Sequence, residues 1–285
     1  MRDADHITDD LKSIQQGDVA VLGIPWDGSS TFLRGAAEAP QRIRQALLSP
    51  ARNLTSESGL DLGQESRFRI LPDLDFTTAD EPFAVIEAAA SEILEHGGNP
   101  LGLGGDHAVT LGLVRACARH MSRLTLLQVD AHPDLYEEYE GDRYSHASPM
   151  ARIMDEGLVQ RMIQVGIRAM TDHQRQQAER FGVEVVEMKS GQELSFDHLD
   201  SNAPLYVSID LDGLDPAFAP GVSHPEPGGL TVRQVLNLIQ RLPIPLVGAD
   251  VVELNPSRDS GDLTAVVAAK LVKELAAKIL QQESA

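Results

Sequence analysis

The sequence predicts an α/β fold built on a parallel sheet covered on both faces. Three observations carry that expectation. Eight short runs rich in Val, Ile and Leu recur along the chain, and they are apolar throughout, as strands buried on both faces are. Stretches of helical period separate several of them, the arrangement of repeated βαβ units. No internal repeat, low-complexity tract or linker rich in Gly, Pro and Ser divides the 285 residues. One domain over 1–285 is therefore expected, with 1–17 a loosely ordered N-terminal segment.

In chain order the strand-like runs are "VAVLGIP" (19–25), "RILPDLDF" (69–76), "NPLGLGG" (99–105), "LTLLQVD" (124–130), "MIQVGIR" (162–168), "VEVVEM" (183–188), "LYVSIDLD" (205–212) and "PLVGADVVEL" (245–254). Amphipathic helices are expected at Pro82–His96, Thr110–Met121, Asp172–Phe181 and Val232–Leu242, with a closing helix over Leu263–Gln282. Thr231 and Ser260 have N-cap chemistry, and Gly97–Gly98 is a helix stop.

The chain carries 24 Lys and Arg against 43 Asp and Glu, a formal charge of −19. That balance repels nucleic acid and anionic membrane, so neither is expected as a partner. It suits a protein that handles cations, although solubility alone also accounts for it. Cys117 is the only cysteine, which excludes an intrachain disulfide and fits a reducing compartment. The N-terminus "MRDADHITDDLKSIQQGD" is too polar for a signal peptide, and no run reaches the ~18 apolar residues of a membrane span. A cytoplasmic location is expected.

The chemistry concentrates at strand ends. "LTLLQVD" runs into Asp130, His132 and Asp134, each two positions apart and so on one face of an extended chain. "LYVSIDLD" ends in Asp210 and Asp212, and a third strand runs through "GLGGDH" to Asp106 and His107. In open parallel sheets the carboxyl edge is where ligands bind. Carboxylates crowded there would repel one another and lose hydration, at several kcal/mol, unless a cation offsets them. Mixed carboxylate and imidazole donors suit Mn²⁺, Zn²⁺, Fe²⁺, Co²⁺ or Ni²⁺ better than Ca²⁺. Two such ions about 3.5–4 Å apart would share a water and ionise it near neutral pH. A lone Asp-x-His at a strand end fits turn hydrogen bonds equally well; three such ends in one chain favour metal. The glycines of "GLGGDH" match neither a phosphate loop nor a dinucleotide fingerprint, and read instead as allowing close backbone approach.

Together "GGDHAVT" (104–110), "DAHPD" (130–134), "YSHASP" (144–149), "SIDLDGLDP" (208–216), "PEPGGLT" (225–231) and "VVELNP" (251–256) resemble the ureohydrolase family, which includes arginases and agmatinases. The resemblance runs from "GIPWD" to the last helix. It implies a three-layer α/β/α domain with an eight-stranded parallel sheet and a centre of two Mn²⁺. By that pattern His107, Asp130, Asp134 and Asp210 hold one ion, and His132, Asp130, Asp210 and Asp212 the other. His146 matches a loop histidine that shuttles protons, Glu253 a glutamate that pairs with the substrate guanidinium, and Asp134 would move a proton to the leaving amine. Family members usually form trimers or hexamers, so a homo-oligomer is implied.

The loop "LYEEYEGDRYSHAS" (135–148) lacks the Asn, Ser and Thr that arginases use to read the α-carboxylate and α-amine. Tyr136, Tyr139 and Tyr144 would wall an aliphatic linker, and Glu137, Glu138, Glu140 or Asp142 would meet a distal ammonium, which favours agmatine over arginine. Arg143 cuts the other way, because it would pair with the carboxylate of a guanidino acid or with neighbouring glutamates. His224, with Ser223, stands where the family has Gly and Thr, and reads as a substrate contact or a loop residue. His6, His173 and His198 read as solvent-exposed. The expected activity is hydrolysis of agmatine to putrescine and urea. The alternatives are hydrolysis of guanidinobutyrate, guanidinopropionate, arginine or formiminoglutamate, a non-catalytic metal-binding relative, or a two-metal phosphatase.

Overall fold

Eight strands, all parallel, form one sheet at the centre of the computed structural model, which describes residues 10–77, 81–191, 203–242 and 245–282. They are β1 (Val19–Gly23), β2 (Phe68–Asp73), β3 (Asn99–Leu103), β4 (Thr125–Val129), β5 (Arg161–Ile167), β6 (Glu184–Glu187), β7 (Leu205–Asp210) and β8 (Leu246–Val252), in spatial order β2-β1-β3-β8-β7-β4-β5-β6. Each coincides with one of the eight runs read from the sequence. Every residue of β1, β4, β7 and β8 is buried, as strands covered on both faces require.

The two covers are separate cores. Helices α1 (Ala39–Leu47), α6 (Val232–Arg241) and α7 (Leu263–Gln282) pack one face, against Val21, Leu127, Val207 and Ala249. Helices α2 (Pro82–Glu95), α3 (Val109–His120), α4 (Pro149–Asp155) and α5 (Asp172–Phe181) pack the other, against Leu22, Leu126, Tyr206 and Val247. Successive strand residues thus point into opposite cores, and the result is a three-layer α/β/α arrangement.

Three local expectations need correction. Helices α1 and α4 were not foreseen, because each is short and opens with proline in its first turn, a residue that in sequence reads as loop but suits a helix start. Ser260 does not cap α7: the Asp259 carboxylate does, accepting from the Thr264 and Ala265 amides at 2.9 Å each. Of the expected loose segment, residues 1–9 lie outside the described residues, while Leu11–Ser13 forms a 3₁₀ turn and Ile14 is buried in the second core. His6 and His198 also lie outside the described residues; His173 is exposed. Thr231 caps α6 in a full capping box with Gln234. No helix among the described residues is long and apolar enough to cross a membrane.

Candidate metal centre

Four neighbouring strands, β3, β8, β7 and β4, end at one level of the sheet. Val129 pairs with Ile209, Asp210 with Val252, and Leu103 with Val251, so the residues that follow leave the sheet side by side. After β4 the chain delivers Asp130, His132 and Asp134, the last with φ +51°. β3 leads through Gly104 and Gly105 to His107; a Cβ on Gly105 would overlap the Trp26 carbonyl oxygen, so only glycine lets the two backbones pass there. β7 ends in Asp210, with Asp212 in the following 3₁₀ turn. β8 is followed by Glu253, with φ +65°. Left-handed backbone at two charged non-glycine residues is strain of the kind that collects at working sites.

His107 Nδ1 lies 2.9 Å from Asp134 Oδ2, 3.0 Å from Asp130 Oδ2 and 3.3 Å from Asp210 Oδ2. It makes a properly directed hydrogen bond to none of them, although it is buried. His132 Nδ1 lies 3.1 Å from Asp212 Oδ2 and 3.6 Å from Asp130 Oδ1. Asp130 therefore turns one oxygen to each histidine. Among the described residues three groups of donor atoms converge: His107 with Asp130 and Asp134, His132 with Asp130 and Asp212, and, beside these two, His146 with His224 and Glu253; Asp210 adjoins the first.

These residues fit divalent cations. Asp130, Asp134, Asp210 and Asp212 are each at most 6% exposed, and four carboxylates cannot share so small a volume without positive charge. Burial, then the Asp130 charge, pushes Asp134 up to about 6. Burial and the neighbouring carboxylates raise Asp210 as well, and burial dominates the rise of Asp212. Burial opposes charging the histidines, yet the carboxylates hold His132 up at about 12 and raise His107. Protons gather where cations would otherwise sit. The buried Nδ1 among three oxygens is a coordination geometry rather than a hydrogen-bonded one.

Beside the cage, Glu253 Oε1 accepts from the His107 amide at 2.9 Å and pairs with His146 Nδ1 at 2.8 Å. Burial works against the His146 imidazolium, but the Glu253 charge and hydrogen bond lift it to about 9. The other ring nitrogen lies 2.9 Å from Thr31 Oγ1. Asp106, a candidate at the sequence level, turns away from the cage: it accepts from the amides of Ser29 at 2.9 Å and Ala108 at 3.2 Å. Through the first of these it steadies the loop that also carries Thr31. Burial, then the Glu253 charge, raises it to about 7.

A cavity of about 190 Å³ opens onto this constellation. Tyr136, Tyr139 and His224 line it, as do Gln174 and Thr31, which sequence reasoning missed. Asp142 and Arg143 do not. The Asp142 carboxylate is taken by the Tyr144 amide at 2.8 Å inside its own turn, and the Arg143 side chain, 60% exposed, points to Asp155 at 3.9 Å. A larger hollow of about 720 Å³ lies at the opposite ends of the strands, but its Arg115 and Arg119 are paired with Glu156 and Glu87. It offers no comparable chemistry.

Fold and site together define a hydrolase of the α/β/α class with a paired carboxylate–imidazole centre. The arginase family model matches residues 17–277, and the chain belongs to that family, whose members hydrolyse guanidino compounds at a centre of two divalent metals. It is 44% identical over 278 residues to "Arginase 1, mitochondrial" of Arabidopsis thaliana, spanning 91% of this chain and 80% of that protein. It is 33% identical over 275 residues to an agmatinase of Bacillus anthracis, spanning 92% of each. The solved arginase from Medicago truncatula superposes with a TM-score of 0.85 at 42% identity, covering 92% of this chain and 87% of that one.

Proposed function

We propose that the chain releases urea from agmatine, leaving putrescine, with two Mn²⁺ as its working ions. The observation that carries the reading is Asp130, with one oxygen toward His107 and the other toward His132, beside a Glu253 carboxylate whose ion-pair partner among the described residues is the His146 ring. When bound, the two ions supply the ionised water that a delocalised, weakly electrophilic guanidinium carbon requires. The rest falls to side chains. Glu253 takes the guanidinium in place of His146 and holds its carbon in line. Asp134, whose Oδ2 reaches the cage 2.9 Å from His107 Nδ1, accepts the proton from water and returns it to the departing amine. His146, released from Glu253, exchanges protons with solvent. Tyr136 and Tyr139 flank the linker.

The cavity supports the substrate choice. Among the described residues no Lys or Arg lines it, and Glu137, Glu138 and Glu140 stand exposed on the adjoining loop, so a cationic tail is favoured over a carboxylate. Arginine is the second reading, and the 44% identity to a plant arginase favours it. Urea release under saturating Mn²⁺ from agmatine, arginine, 4-guanidinobutyrate and 3-guanidinopropionate decides the matter. At least tenfold higher kcat/KM for agmatine is expected. A preference for arginine overturns the substrate assignment, and no urea from any of the four overturns the activity. Ammonia or formamide from a formimino compound would point to the related C–N hydrolysis. A purely metal-binding role is disfavoured by the contact between His146 and Glu253. A phosphatase is disfavoured by the acidic cavity. The lone cysteine supports a reducing, cytoplasmic location, and the family resemblance supports a homo-oligomer, trimeric or hexameric.

A further inference from the structure

Behind the cage, one carboxylate is buried within the sheet itself. Asp250 lies in mid-β8, fully buried, in the otherwise apolar run "PLVGADVVEL". Three hydroxyls donate to it: Ser208 to Oδ1 at 2.6 Å, and Tyr206 and Thr110 to Oδ2 at 2.7 and 3.0 Å. A charge inside a sheet is retained only where it is fully hydrogen-bonded, and here the acceptors are met from β7 and α3 together.

The proton count has a direct consequence. Ser208 has one hydroxyl hydrogen, and it points to Asp250. Its oxygen, 3.0 Å from His107 Nε2, is thus left as an acceptor, and Nε2 must carry the hydrogen. A neutral His107 then has a bare Nδ1, the atom that faces Asp130, Asp134 and Asp210. His132 has no such brace among the hydrogen bonds of its ring: its Nδ1 faces the carboxylates, and its side chain is 29% exposed.

We propose that Asp250 is a positioning residue which, through Ser208, fixes the His107 ring with Nδ1 bare and aimed into the cage, and so sets the affinity of the more buried of two ion sites. This rests on the reading that His107 holds a metal ion. Partners behind a ligating histidine orient the ring and raise its basicity, and their removal typically lowers metal affinity about 10–100-fold.

The test is Mn²⁺ titration of the full chain, followed by electron paramagnetic resonance and metal counting, with thermal melting alongside. The wild type is expected to bind two equivalents. Ser208→Ala is expected to lose affinity about 10–100-fold at one site only, so that at limiting Mn²⁺ the count falls from two towards one; Asp250→Asn should follow it. Tyr206→Phe removes another donor to the same carboxylate without breaking the relay, and is expected to melt earlier yet hold both ions. If Ser208→Ala binds two ions as tightly as a two-ion wild type, or if Tyr206→Phe loses metal equally, the relay is overturned and the metal reading survives. A wild type that binds no Mn²⁺ overturns the metal reading, and the relay with it.

Discussion

His107 and His132 face the same Asp130 from opposite sides, in unlike surroundings. The His107 side chain is 1% exposed, with its far nitrogen against Ser208, whereas His132 is 29% exposed and lines the cavity. The difference teaches that one centre combines a deep half built into the sheet and a shallow half open to substrate. An ion in the deep half would act as part of the structure, and one in the shallow half would exchange. His224, whose ring lies 6.3 Å from His132 and 5.1 Å from His146, stands on the shallow side, where it lines the cavity.

The comparison can be broken most severely at the group both halves share. Asp130→Asn is expected to lower kcat/KM on the order of 10³-fold or more and to reduce bound Mn²⁺, because one amide oxygen cannot serve two ions. Next come the histidines themselves. His107→Ala should retain about one loosely held ion in the shallow half, while His132→Ala should retain about one tightly held ion in the deep half; equal affinity for the remaining ion in the two variants would erase the distinction. Glu253→Gln should keep both ions and raise KM roughly 10–100-fold, the effect of removing a charge-assisted bond to a guanidinium. Metal loss from Glu253→Gln matching that of Asp130→Asn would end the division of labour between cage and clamp.

Stability against pH sharpens the shallow half. In the metal-free protein His146 is raised from its ordinary 6.5 to about 9, so its pairing with Glu253 stabilises fully below pH 6.5 and is lost as pH rises through 9. The deficit of His146→Ala in chemical denaturation, on the order of 2–3 kcal/mol near neutrality, should shrink between pH 7 and pH 10. A deficit that is constant across that range would show packing, not charge, to be its source. The smallest effect is expected at Arg143→Ala, which should shift KM for agmatine by less than about twofold, as exposed ion pairs contribute little.

Much of this was legible in the sequence where periodicity does the work. Buried parallel strands write themselves as unbroken apolar runs, and each of the eight was in place within a residue or a few at its ends. The carboxylates and imidazoles that converge were legible because strand ends project alternate residues to one side. Legibility fails where direction depends on a loop. Asp142 and Arg143 sit in a turn that aims them away from the cavity, while the left-handed backbone of Asp134 and Glu253 has no sequence signature outside glycine. Asp106 adjoins His107 and yet faces the other way, since neighbours at the start of a helix diverge. The polar interruptions Gln128, Gln164, Ser208 and Asp250 in four apolar strands were a visible signal of a buried network. Gln164 donates to Gln128 at 2.7 Å, and Gln128 to Asp130 at 2.6 Å, so those glutamines brace the cage from below.

The strand order has a consequence for biosynthesis. The four strands that carry the centre are neighbours in space, yet the adjacent β3 and β8 have well over a hundred residues of chain between them. β8 is the last strand to leave the ribosome and must slot between β3 and β7, both already made. Until it does, Glu253 is absent and the two halves of the sheet are unjoined. A nascent chain can thus have neither a guanidinium clamp nor a closed cage, and hydrolysis should begin only once translation has passed the final strand. A divalent cation bound there would then act as a late fastener that draws the finished middle of the sheet shut.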